Sequence, residues 1–214
     1  MEHITASCVI REGRVYRQGG IVWEQRSGGL ADFLLACYQH FEFQYPKFYK
    51  MDQLSKLGWL AAELLLSAGF DAAGYRPEEM AIVLSNANSS LDTDYRYFAT
   101  ITDIPSPALF VYTLPNIMIG EICIRNKFKG WNAFFVTASF DAAFIETYVR
   151  DLLDTGNARA CICGWVEVLG DAYMAALFLI EKKVTALSFA AALPFTASLP
   201  FTAENMDRLF QPNE

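Results

Sequence analysis

Ala133-Phe-Phe-Val-Thr-Ala138 reads as one short strand, and residues 141–153 behind it place Ile145, Tyr148, Val149, Leu152 and Leu153 on one helix face. Gly156 supplies a stop for that helix. Ala158 to Val168 then reads as a strand and Ala172 to Ile180 as another. Strands alternating with helices at this spacing predict an α/β protein with a largely parallel or mixed sheet.

Working outward from that stretch, the same alternation continues toward the N-terminus. Residues 4–10 form a first strand, 11–29 a charged, glycine-containing loop or hairpin, and 30–42 an apolar helix ending near Phe43. His40 falls there among aromatic residues, where a packed or surface histidine is the ordinary reading and a catalytic one the alternative. Residues 52–68 are strongly periodic. Asp52 serves as N-cap, Leu54, Leu57, Ala61, Leu64 and Ala68 make one apolar face, and Gly69 serves as C-cap. Gly58 interrupts the pattern at a cost in helix propensity. Met80 to Ser85 is a short buried strand, Asn86 to Ser90 a polar turn, and 91–101 a mixed helical segment. Pro107 opens a helix over Leu109 to Leu114, Pro115 interrupts, and 117–126 continues as a very apolar helix.

Toward the C-terminus, Leu193-Pro-Phe-Thr-Ala197 is repeated as Leu199-Pro-Phe-Thr-Ala203. Two copies are too few for a solenoid, so the segment is read as extended chain before a small helix near 204–210. The expected division is a domain over 1–184 with a tail over 185–214 that belongs to it. The uncharged stretch Val184 to Ala203 carries Pro194, Pro200 and five hydroxyl residues, which makes a poor membrane-spanning helix.

With 214 residues, 53% hydrophobic and 19% charged, the chain is neither a disordered tail nor a low-complexity scaffold. A chain of this length removes roughly 70% of its unfolded surface from water, so its core needs no metal or disulfide. A formal net charge of −7 opposes a general nucleic-acid role. The N-terminus has neither a basic region nor a long apolar run, and the five cysteines (Cys8, Cys37, Cys123, Cys161, Cys163) match no zinc spacing. Together these predict reduced thiols, no metal site and a cytoplasmic location.

Three stretches resemble the N-terminal half of a β-ketoacyl synthase, over roughly residues 50–168. The first is Lys50-Met-Asp-Gln-Leu-Ser-Lys-Leu57, running through Gly58 into Ala61-Ala-Glu63. The second, and most specific, is Pro105-Ser-Pro-Ala-Leu-Phe-Val-Tyr-Thr-Leu-Pro-Asn116 with Gly120-Glu-Ile-Cys-Ile-Arg125. The third is Gly130-Trp-Asn-Ala-Phe-Phe-Val-Thr-Ala138, its helix, and Ala160-Cys-Ile-Cys-Gly-Trp-Val-Glu167. The resemblance implies half of a thiolase fold, with a mixed five-stranded sheet and helices on both faces. It also implies a nucleophile elbow at the end of the strand over 133–138.

Two departures shape the functional expectation. The family has Thr-Ala-Cys-Ala-Ser at the elbow, whereas this chain has Thr137-Ala-Ser139-Phe140-Asp141. A serine hydroxyl needs an adjacent base to attack, and Asp141 adds negative charge that opposes ionisation. The family's paired histidines, or histidine and asparagine, come from its second half, while the histidines here, His3 and His40, both precede the elbow. The chain is therefore expected to be a non-catalytic, chain-length-factor-like subunit of fatty-acid, polyketide or aryl-polyene assembly, without a cofactor. Its expected partner is a full-length ketosynthase, or a second copy, docked along the strand over 133–138, with an acyl carrier protein as a further contact. Thr137, Ser139, Phe140 and Asn116 are the expected acyl-site residues, and Phe140 stands where an acyl thioester would lie. Two other readings stay open. One is a stand-alone acyl-chain binder with a pocket bordered by Ser139, Phe140 and the turn from Thr113 to Asn116. The other is an acyl hydrolase or transferase using Ser139, with His40 as base and Asp141 as orienting carboxylate, although the Gly-x-Ser-x-Gly glycines are missing.

Overall fold

The computed structural model describes residues 1–67, 69–182 and 198–211. In chain order it contains β1 (Glu2–Arg11), β2 (Arg14–Arg17), β3 (Gly20–Glu24), α1 (Leu30–His40), α2 (Gln53–Leu66), β4 (Met80–Asn86) and α3 (Leu91–Thr100). Then follow α4 (Pro107–Phe110), α5 (Asn116–Asn126), β5 (Asn132–Val136), α6 (Ala142–Asp154), β6 (Ala160–Leu169), β7 (Ala172–Lys182), β8 (Leu199–Pro200) and α7 (Ala203–Phe210).

The strands form one mixed sheet in the order β3-β2-β1-β7-β6-β4-β5, with β8 added beside β1. β4 runs parallel to both β5 and β6, while β7 runs antiparallel to β6 and β1. The strands β1, β7, β6, β4 and β5 are the mixed five-stranded sheet of the expected fold. The sheet is larger than five because the stretch over 11–29 folds as the hairpin β2–β3 against β1.

Helices cover both faces. On one, α1, α2 and α5 bury Phe33, Leu34, Leu57, Leu60, Leu64 and Ile122 against Cys8, Ile82, Ile162 and Leu177. On the other, α6 and α7 bury Ile145, Val149, Leu153 and Met206 against Val83, Cys161, Cys163 and Phe178. β4 is buried along its whole length, as its unbroken apolar run requires of a strand covered on both faces. In β1 the register slips between Ile4 and Ala6, so these two residues, which alternation would place on one face, enter different cores.

The local signals act as expected at most helix ends. Asp52 caps α2 by accepting from the Ser55 N–H at 2.9 Å, and Ser106 and Asp141 cap α4 and α6 in the same way. Three details differ from expectation. The helix after Pro107 ends at Phe110 and does not reach Leu114, because the next N–H groups close three-residue turns, Tyr112 to the Leu109 carbonyl at 2.9 Å and Thr113 to the Phe110 carbonyl at 3.2 Å. The cap of α2 is Ser67, with Gly69 beyond it at φ 108°. Ala68, the first repeat copy Leu193 to Ala197 and most of the stretch Val184 to Ala203 lie outside the described residues. Among the described residues no helix is long and apolar enough to cross a membrane.

Candidate functional site at the C-terminal rim of the parallel strands

The parallel strands β4, β5 and β6 end on one side of the sheet, where open α/β sheets present their ligand-facing loops. The loop after β4 organises this rim. Asn86, fully buried, donates its side-chain N–H to the Ser89 carbonyl at 2.8 Å and accepts from the Ser89 N–H at 2.8 Å. Glu167 of β6 reaches across and accepts from the Ala87 N–H at 2.6 Å and the Asn88 N–H at 3.2 Å. The Ser90 hydroxyl donates to the Thr113 carbonyl at 2.8 Å. On the other side, the Thr137 N–H donates to the Asn86 carbonyl at 2.9 Å. The loop over 86–90 therefore lies between the turn from Thr113 to Asn116 and the elbow over 137–141.

At the elbow, Thr137 closes the turn by donating its hydroxyl to the Ser139 carbonyl at 3.0 Å. Ser139 is exposed, and among the described residues its hydroxyl has no hydrogen-bond partner. Asp141 does not orient a base, because its carboxylate accepts the Phe144 N–H at 2.9 Å and caps α6. His40 is the last residue of α1. Its ring stacks on Trp23 at 5.3 Å and meets Phe41 edge-on at 4.8 Å, within the aromatic group that packs on the α1–α2 core. Phe140 packs on the α6–α7 core, so the structure puts His40 and the elbow on opposite faces of the sheet and does not assemble the triad.

Phe140 is enclosed by aromatic rings: Phe210 of α7 at 4.6 Å and 5° from parallel, Phe178 of β7 at 6.2 Å and Trp165 of β6 at 6.5 Å. The thiols in the same core give no substitute nucleophile. Burial pushes Cys161 and Cys163 well up from the ordinary thiol range, so both stay protonated. Asn116, first residue of α5, is exposed at the end of the turn from Thr113, on the other side of the loop over 86–90 from the elbow. Three cavities, one beside Gly28 and Tyr173, one beside Tyr38 and Tyr49 and one beside Gly130 and Trp131, are lined by residues other than Ser139, Phe140 and Asn116. Among the described residues no cluster of three or more His, Cys, Asp or Glu side chains could hold a metal ion.

The sequence reading assigned no role to Asn86 or Glu167. Their signal was a polar or charged residue in an otherwise apolar strand, which folding tolerates only with partners supplied. The sequence also assigns no contacts to the tail over 185–214 beyond its belonging to the same domain. In the structure Arg150 of α6 pairs with Glu2 at 2.8 Å and Glu146 at 2.9 Å, donates to the Phe201 carbonyl and lies 5.3 Å over the Phe201 ring. The Ala203 N–H donates to Glu146 at 2.5 Å. These contacts hold β8 and α7 on the sheet and bring Phe210 to the elbow.

No protein-family profile and no curated protein sequence matches the chain. Solved structures do match. The ishigamide ketosynthase/chain length factor superposes with a TM-score of 0.60 at 19% identity, over 86% of this chain and 63% of that one. A β-ketoacyl synthase from Burkholderia phymatum gives 0.56 at 16% identity, over 85% and 59%. The ketosynthase ApeO in complex with its chain length factor ApeC, from Xenorhabdus doucetiae, gives 0.54 at 13% identity, over 85% and 80%. The chain spans about three fifths of the first of these and has the ketosynthase fold that the motifs over 50–168 implied.

Proposed function

We propose that this chain is a ketosynthase-like, chain-length-factor-like subunit that pairs with a ketosynthase-type partner and does not itself carry out acyl condensation. One observation carries the reading. Among the described residues β5 is the edge strand of the sheet, bonded to β4 on one side and unpaired on the other. Val136 at its end is 58% exposed, and Phe144 and Trp131 stand exposed beside it. Large apolar side chains are also exposed over the stretch from α3 to α5, with Phe98 71%, Ile104 77%, Phe110 60% and Leu114 58% exposed. Exposed side chains this large, next to an open strand edge, fit a protein interface and leave a lone monomer prone to association. Two of the similar structures are a ketosynthase/chain length factor and a ketosynthase in complex with its chain length factor, which supports a partner of that class. His40 on the opposite face of the sheet and Asp141 engaged as the cap of α6 support the non-catalytic half of the reading.

The test is co-expression with a ketosynthase encoded nearby, followed by light scattering on the purified material. A stable heterodimer that Val136→Asp combined with Phe144→Asp disrupts is the expected result. A chain that stays alone with every such synthase, or that condenses malonyl thioesters unaided, overturns the reading. A complex of two copies of this chain, lost in the same double variant, would reassign the edge to self-pairing.

A further inference from the structure

Away from the rim, the end of α1 and the 3-10 turn Pro46–Lys50 border an open cavity of about 630 Å³ lined by Tyr38, Phe43, Tyr45 and Tyr49 together with Gln39, Glu42, Gln44 and Pro46. The size is within the range of small-ligand sites. Tyr38 and Tyr49 meet at 71° with centroids 5.6 Å apart, and Phe43 stands at 51° to Tyr38, 6.4 Å away. Tyr38 is fixed, since it is buried, stacked on Phe48 at 4.2 Å, and its hydroxyl accepts the Tyr45 N–H at 2.7 Å. Tyr49 is 60% exposed and forms the open side. Glu42 is the charged residue among those lining the space. Lys47, the nearest basic residue along the chain to Pro46, is tied to Glu121 at 2.8 Å.

Rings set at steep angles round a space with one carboxylate at the rim provide several π faces and a negative charge to a single guest. Neighbouring rings of the same aromatic group already hold the chain's own cations: Lys56 lies 5.5 Å over Phe48 and Arg125 5.3 Å over Tyr45. We propose that this cavity is a binding site for an alkylammonium cation, a quaternary ammonium group or a methylated amine, held by Tyr38, Phe43 and Tyr49 with Glu42 as counter-charge. The site lies on α1 and the turn after it, so it stands whether or not the β5 edge binds a synthase.

The intact chain is titrated by calorimetry with choline and, separately, with 3,3-dimethylbutan-1-ol, the uncharged compound of the same shape. Choline binds saturably with a dissociation constant of roughly millimolar or below, and the neutral analogue about tenfold more weakly. Tyr49→Ala, at an exposed position that leaves folding intact, weakens choline by about tenfold, while Tyr49→Phe retains it because the ring face is kept. Glu42→Gln weakens it by a factor of about three. Absence of saturable choline binding, equal affinity for the two compounds, or an unchanged affinity in Tyr49→Ala would overturn the proposal.

Discussion

Phe140, the residue after the elbow serine, and Phe210, the last residue of α7, lie face to face with centroids 4.6 Å apart. Seventy positions separate them in the chain, and the pair closes the α6–α7 core beside Ser139. Phe140 therefore fills the elbow as part of the protein's own core, with ring partners from three other elements. A stacked pair adds about 0.5–1.5 kcal/mol beyond the area it buries. A double-mutant cycle of Phe140→Ala and Phe210→Ala, read by urea unfolding, is expected to give a coupling energy in that range, with each single change costing about 1–3 kcal/mol. Strict additivity would show that the stack contributes nothing of its own.

Gly58 sits inside α2, where alanine ordinarily stabilises a helix by about 1 kcal/mol. Here a Cβ would stand 2.1 Å from the Met118 sulfur and 2.7 Å from its Cγ, and Met118 is fully buried in α5. Gly58→Ala is expected to destabilise the protein by about 1–2 kcal/mol, because overpacking outweighs the propensity gain. In a Met118→Ala background the same change loses its cost. A stabilised single variant in thermal and urea melts would show that α2 and α5 do not meet this closely.

Asp52 is buried at the N-cap of α2, where it accepts from the Ser55 N–H at 2.9 Å and the Thr93 hydroxyl at 2.6 Å. Burial raises its pKa above the ordinary Asp value, more than these hydrogen bonds lower it, and the nearby Asp92 pushes the same way. A carboxyl with a raised folded-state pKa holds its proton more tightly in the folded protein than in the unfolded chain. Its contribution is complete below the unfolded pKa and is lost as pH rises through the raised one. The stability of the protein relative to Asp52→Asn is therefore expected to fall as pH rises above the ordinary Asp range. Urea melts of both proteins over that rise in pH check this, and a difference that stays flat with pH would contradict it.

Particular elements show how far the sequence could be read. The strand–turn–helix over 133–153 was legible because alternation and 3.6-residue periodicity are properties of neighbouring residues, and β5 and α6 formed where they predict. Asp52 was legible as a cap because the bond it makes spans three residues. The purpose of Gly58 was not, since its reason is a methionine sixty positions away. Nor was the end of β1, where one slipped register sends Ile4 and Ala6 to different cores. At the elbow it is the resemblance over 130–138 that puts Ser139 in the place of a cysteine. Asp141, read as a possible orienting carboxylate, is used locally as a cap, and His40 was available to the triad only while its sheet face was unknown.

The amino-acid order by itself determined which segments become strands and helices, the apolar face of each helix, and the alcohol standing at the elbow, because these follow from short-range periodicity, capping and residue identity. Tertiary structure alone decided that β5 is an open edge, that Glu167 holds the loop over 86–90, that Phe210 covers Phe140 and that four aromatic side chains after Gln39 close on Tyr38 and Trp59. Those outcomes depend on which strands lie side by side and which faces meet. Long-range pairings of that kind are selected by the summed burial of the whole chain, and no window of neighbouring residues carries them.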